Sequence, residues 1–229
     1  MPYLIWDFDG TLATRTGGWA GTLCEVLAEA EAAAGVDHEA VRPHLRQGFP
    51  WHDHDVVRAP ASPDAWWESL HPLFGGAFSA LCDLPADDAL ALAARVRDVY
   101  LRPDAWRVFE DALPTLETLA GRGWKHLLLS NHCPELDQVM ESLGLADAFE
   151  RVYNSARTGA EKPNPAAFEC VFTDYPDARR GWMIGDNVFA DVLGGEAVGL
   201  HAILVRGEHP QARLRCGSLD EVPAIVGNP

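Results

Sequence analysis

Two aspartates separated by one phenylalanine, Asp7-Phe8-Asp9, run straight into Gly10-Thr11-Leu12, directly after the short apolar run Tyr3 to Trp6. Carboxylates two residues apart share one side of an extended backbone. Where the chain turns at Gly10, they can instead divide the labour: Asp7 attacks an electrophile while Asp9 handles protons. Gly10 lets the backbone approach a ligand closely. The same letters also describe a strand that ends in an ordinary Asp-Gly turn. The rest of the chain decides between the two.

Other short apolar runs end just as abruptly. Leu127 to Leu129 meets Ser130, Trp182 to Ile184 meets Gly185-Asp186, and His201 to Val205 meets Arg206. Each is too short for a helix and is followed by turn or helix-start residues. Helical patterns lie between them, from near Pro114 to Gly121, from Pro134 to Leu143, and from a cap at Asn164 with Pro165 as first helical residue. Alternating buried strands and amphipathic helices predict an α/β fold, a Rossmann-like doubly wound parallel sheet covered on both faces. In such sheets ligands bind at the carboxyl ends of the strands. Asp7, Ser130 and Asp186 therefore converge on one crevice.

The stretch from about Ala13 to Arg107 is far too long for a single crossover. It is rich in alanine, leucine and tryptophan, with helical spacing at Leu23, Val26, Leu27 and Ala30 and further helices expected around Pro63 to Leu73 and Asp87 to Tyr100. The expectation is an inserted all-helical domain, residues 15–105, with the core formed by 1–14 and 106–229. A short final helix is expected near Leu219.

Asp7-Phe8-Asp9-Gly10-Thr11-Leu12 resembles the first motif of the haloacid-dehalogenase superfamily, and counterparts of the other three motifs follow in order. They are Leu127-Leu128-Leu129-Ser130-Asn131, Glu161-Lys162-Pro163, and Gly185-Asp186-Asn187-Val188-Phe189-Ala190-Asp191. Singly, Ser130 reads as a helix cap, Lys162 as a solvated loop residue and Asp191 as a surface charge; in order, on strand ends, they read as one set. The resemblance implies a phosphatase with a helical cap of the C1 type. It implies Asp7 as a nucleophile that becomes an aspartyl-phosphate and Asp9 as the proton donor and acceptor. Mg2+ is implied on Asp7, the Asp9 carbonyl and Asp186, with Asp191 in support. Ser130, Asn131 and Lys162 are implied as the phosphoryl grip, and Thr11 as support for Asp9.

An acid at position 9 favours phosphoryl transfer over dehalogenation, and an insertion without lysine disfavours Schiff-base chemistry. A phosphomutase, with Arg42, Arg46 or Arg58 holding a second phosphate, is the alternative within the family. Outside it, a phosphoacceptor signalling module combines the same residue types, but such modules are about half this length and lack a helical insertion. The loop Gly48 to His54 offers Trp51 and His52 for reading the substrate. A metal at His52 and His54 is disfavoured by the want of a third ligand, and Phe49 and Trp51 also read as packing residues. Trp66 and Trp67 read as packing and His132 as incidental.

Composition narrows the partners. Apolar residues make up 48% of the chain and the net charge is −16, which argues against nucleic acid and anionic membranes. Only two lysines, Lys125 and Lys162, are available for an anionic ligand. Five scattered cysteines fit reduced thiols, and the N-terminus has no basic segment ahead of its short apolar run. The expected partner is a small phosphorylated metabolite and the expected compartment the cytoplasm.

Overall fold

The computed structural model describes residues 2–32 and 35–229. Its strands are β1 (Tyr3–Trp6), β2 (Ala13–Arg15), β3 (Trp106–Val108), β4 (Lys125–Ser130), β5 (Arg151–Asn154), β6 (Trp182–Gly185), β7 (His201–Val205) and β8 (Arg215–Cys216). Six form one sheet in the order β5-β4-β1-β6-β7-β8, and every pair in it is parallel. β2 and β3 pair separately. The α/β expectation holds, with helices covering a mostly parallel sheet.

The chain divides into two compact units. One comprises residues up to Thr14, His54–Pro60 and Arg107–Pro229; the other comprises Arg15–Asp53 and Ala61–Trp106. Residues His54–Pro60 lie inside the stretch read from the sequence as the insertion, yet they pack with the first unit.

In the first unit, β1 is buried on both faces, which is why its sequence reads as a continuous apolar run rather than an alternation. Tyr3, Ile5, Leu127, Leu129 and Met183 pack with Phe168, Val171 and Phe172 of the helix Pro165–Asp174. Asn164 caps that helix by accepting the Ala166 N–H at 2.9 Å. On β4, buried His126 is a satisfied core group. Its Nδ1 accepts from Trp6 Nε1 at 3.0 Å and its Nε2 lies 3.0 Å from the Leu116 carbonyl. Strands β5 and β8 escape a reading of runs because Arg-Val-Tyr-Asn and Arg-Cys have too few apolar residues, and only pairing with β4 and β7 makes them strands.

The second unit is helical, with helices Gly18–Glu29, Pro63–Cys82, Ala86–Ala93 and Val96–Tyr100. The one from Pro63 continues past Pro72 because Phe74, Ala77 and Phe78 extend its buried face. The expected helix from Asp87 to Tyr100 is two helices. Trp66 and Trp67 are buried, as packing residues should be. Among the described residues no helix is long and apolar enough to cross a membrane.

Arg15 is the buried tie of this unit. Its guanidinium forks onto Glu25 at 3.0 and 3.1 Å and donates to the carbonyls of Val99 and Tyr100 at 2.9 and 3.1 Å. Replacing it removes donors from carbonyls that have left water, a cost of about 3 kcal/mol. Arg15→Met is expected to lower stability by about that amount in urea unfolding followed by tryptophan fluorescence; a change within about 0.5 kcal/mol would refute the assignment.

Candidate active site

The strand register sets the site. Trp6 lies opposite Leu128 of β4 and Ile184 of β6, so Asp7, Ser130 and Asp186 emerge within a residue or two of one another at the same sheet edge. After β1 the chain fills the β4-β5 side, then crosses to β6-β7-β8. The crossing makes β1 the switch point where open parallel sheets bind ligands.

Beyond Asp7 the chain coils tightly. The Phe8 carbonyl accepts the N–H groups of Thr11, Leu12 and Ala13 at 3.2, 2.9 and 3.2 Å. Gly10 sits at φ +82°, and a Cβ there would lie 2.3 Å from Asp186 Oδ2. The position therefore needs glycine both for its backbone and for the Asp186 carboxylate against it. Thr11, expected to support Asp9, donates its single hydroxyl proton to Asp186 Oδ1 at 3.3 Å. The threonine thus serves the other carboxylate.

Asp7, Asp186 and Asp191 offer oxygens that all lie within 4.8 Å of one another. Asp191 comes from the wide π-type helical turn Val188–Leu193, which Asn187 caps through the N–H groups of Phe189 and Ala190. The Asn187 N–H fixes Asp191 Oδ2 at 3.0 Å. A Cβ at Gly185 would stand 2.1 Å from that oxygen, so glycine is required there as well. Lys162 Nζ donates to Asp7 Oδ1 at 2.8 Å and to Asp191 Oδ1 at 2.6 Å, with the lysine and Asp191 buried. Burial, then repulsion from Asp7, Asp191 and Asp9, pushes the Asp186 carboxyl up to about 8. Burial pushes Asp191 up to about 6, against the pull of Lys162. With all three carboxylates ionised, one ammonium leaves two formal negative charges, and the donors are hard oxygens; the trio fits a divalent cation of the magnesium class.

Lys162 is held by its main chain. Asn131 Nδ2 donates to its carbonyl at 2.8 Å and Asn131 Oδ1 accepts its N–H at 2.7 Å. The Asn131 carboxamide thereby positions the lysine through its main chain. Ser130 ends β4 fully buried beside it. Glu161, next to Lys162, is buried with Oε2 unpartnered, and burial raises its carboxyl to about 7.

The strap His54–Pro60 grips the same loop at both ends. The Arg58 N–H donates to the Gly159 carbonyl at 2.7 Å, and Asn164 Nδ2 donates to the His54 carbonyl at 2.9 Å. A Cβ on Gly159 would lie 1.8 Å from the Arg58 carbonyl oxygen. The His54 ring also meets Phe189 of the acidic turn at 5.3 Å. Sequence reading missed this strap; the glycine two residues ahead of Glu161 was the available signal. His132, read as incidental, is buried edge-on to Phe8 at 5.5 Å, and burial lowers its pKa to about 4, making it a neutral packing group. Trp51 and His52 belong to the second unit.

A family model described as haloacid dehalogenase-like hydrolase matches residues 1–199. Haloacid dehalogenase-like hydrolase domain-containing protein 3 of Mus musculus is 30% identical over 222 residues, covering 92% of this chain and 84% of that protein. A phosphoserine phosphatase of Thermus thermophilus is 34% identical over 125 residues, half of this chain and 49% of its own length. The matched stretch spans about half the length of several of these curated relatives. Among solved structures, the putative HAD-hydrolase YfnB of Bacillus subtilis, described as bound to magnesium, superposes with a TM-score of 0.76 at 18% identity, covering 98% of each chain. At that identity the likeness speaks for the fold.

The raised carboxyls make a pH test. The Asp186 carboxyl, pushed up to about 8 from 3.8, binds its proton more tightly in the folded chain than in the unfolded one. The folded state then binds more protons than the unfolded one, so stability is lost as pH rises through 8. The buried histidines 126 and 132, with pKa values held below 6.5, add nothing above that pH. The melting temperature without metal should fall from pH 6.5 to 8.5, less steeply in Asp186→Asn, and Mg2+ should raise it most at the alkaline end. Identical slopes in the two proteins would rule the explanation out.

Proposed function

The chain belongs to the haloacid dehalogenase-like hydrolase family, and on that premise we propose that it hydrolyses small phosphomonoesters through a transient phosphate ester on Asp7. The observation that carries this reading is the Lys162 ammonium between Asp7 and Asp191, with Asp186 within the same 4.8 Å cluster. The phosphatase name of the Thermus relative and the magnesium in the Bacillus structure's description point the same way.

In this reading an Asp7 oxygen attacks phosphorus as the ester oxygen departs in line, and Asp9 gives that oxygen its proton. Asp9, now ionised, takes a proton from water; the resulting hydroxide attacks phosphorus, and phosphate leaves with Asp7 restored. Lys162, the Ser130 hydroxyl and the Asn131 backbone N–H donate to the phosphoryl oxygens, where fixed donors act most strongly as charge shifts in the transition state. Asp7, the Asp9 carbonyl and Asp186 would hold Mg2+, with Asp191 in support, and the ion when bound offsets the charge gathered between carboxylates and phosphate. The helical unit corresponds to the family's cap, and its Trp51 and His52 are the specificity candidates for a small cytoplasmic metabolite.

Asp7→Asn is expected to lower kcat on p-nitrophenyl phosphate at least ~10³-fold with an unchanged circular dichroism spectrum; retained activity would remove the nucleophile from the scheme. EDTA should stop turnover and added Mg2+ restore it, and rates indifferent to both would sink the metal assignment. Phosphorylation of Asp7 that persists without turnover would favour a signalling module instead.

A further inference from the structure

The helical unit carries a cavity of its own, about 330 Å³, walled by Trp19, Phe49, Trp51, His52, Arg42 and Arg46. The Phe49 and Trp51 rings stack at 4.4 Å and 9°. Trp19 closes on both at 4.9 and 6.2 Å and is itself stacked on Tyr100 at 3.9 Å, so the aromatic wall is backed by the core of the unit. His52 Nδ1 accepts the Phe49 N–H at 3.2 Å. That bond places the ring proton on Nε2 and leaves an N–H donor at the cavity. Burial holds the His52 pKa below its ordinary value, so the ring stays neutral and keeps that donor.

The two arginines are not equivalent. Arg42 pairs with Glu39 at 2.9 Å. Arg46 is exposed and has no ion pair or hydrogen bond among the described residues. In a chain of net charge −16, an uncompensated guanidinium beside stacked rings suits an incoming anion, since its planar fork matches a carboxylate. The rings offer a face for a flat partner, and the volume is that of a small-ligand site.

We propose that this cavity binds a planar organic acid, its ring against Trp51 and its carboxylate on Arg46, with the His52 Nε2–H as second donor. That the cavity binds such an acid does not rest on the phosphatase reading above.

Calorimetric titration of the full chain with benzoate, acetate and benzyl alcohol tests the cavity. Benzoate should bind saturably, with acetate and benzyl alcohol each at least tenfold weaker, because each keeps only one of the two features. Arg46→Gln, an exposed substitution whose folding is checked by thermal unfolding, should weaken benzoate at least tenfold. Absent benzoate binding, acetate as tight as benzoate, or undiminished binding in Arg46→Gln overturns the proposal; the last places the acid elsewhere, such as at Lys162. Benzoate binding without turnover of any ester upholds the cavity and sinks the phosphatase reading, whereas turnover without benzoate binding does the reverse.

Discussion

The rest of the structure is organised around one buried ammonium. Lys162 Nζ sits 2.8 Å from Asp7 and 2.6 Å from Asp191, where a charge removed from water costs several kcal/mol unless it is paired and hydrogen-bonded. The pairing works in both directions. The lysine lets two carboxylates stand together away from solvent, and they keep the lysine charged despite its burial. A third carboxylate, Asp186, exceeds what one ammonium can balance when all are ionised, and the hard oxygens of the three fit a divalent cation.

Such a cluster tolerates little displacement, and the backbone around it shows that constraint. Gly10 and Gly185 stand where any Cβ would strike Asp186 or Asp191. Asn131 clasps the main chain of Lys162 from both sides, and Asn187 spends its side chain on the turn that presents Asp191. Asn131 and Asn187 act by hydrogen bonds to the lysine's main chain and to Asp191, and the two glycines by leaving room for the carboxylates. Their work is to hold aspartates and lysine in one arrangement before any ligand arrives, which is where preorganised electrostatics has its effect.

The strap His54–Pro60 extends this positioning to a segment far away in sequence. Its anchors, Gly159 and Asn164, bracket Lys162, so the loop bearing the ammonium is braced at both ends. The strap leaves the helical stretch at Asp53 and rejoins it at Ala61; the insertion therefore contributes directly to the unit that holds the carboxylates.

How much was legible depended on how local the determinant is. The apolar runs that become β1, β4, β6 and β7 announce themselves because a strand buried on both faces must be apolar throughout, and the acids and lysine stand out only jointly, by their order on the ends of those runs. Strands β5 and β8 did not, since their edges and neighbours, not their letters, make them strands. The single proton of Thr11 could be assigned to Asp186 only once the turn at Gly10 was folded, and the Asn131 carboxamide to Lys162 only once two loops met. The sequence by itself determined the α/β class, the family resemblance and the residue types able to do the chemistry, because periodicity and side-chain chemistry are local. The tertiary structure alone decided which donor serves which carboxylate, that 54–60 joins the first unit, and that an aromatic wall and Arg46 share one cavity, because hydrogen bonds and close approaches are made between segments whose separation in sequence says nothing about their distance in space.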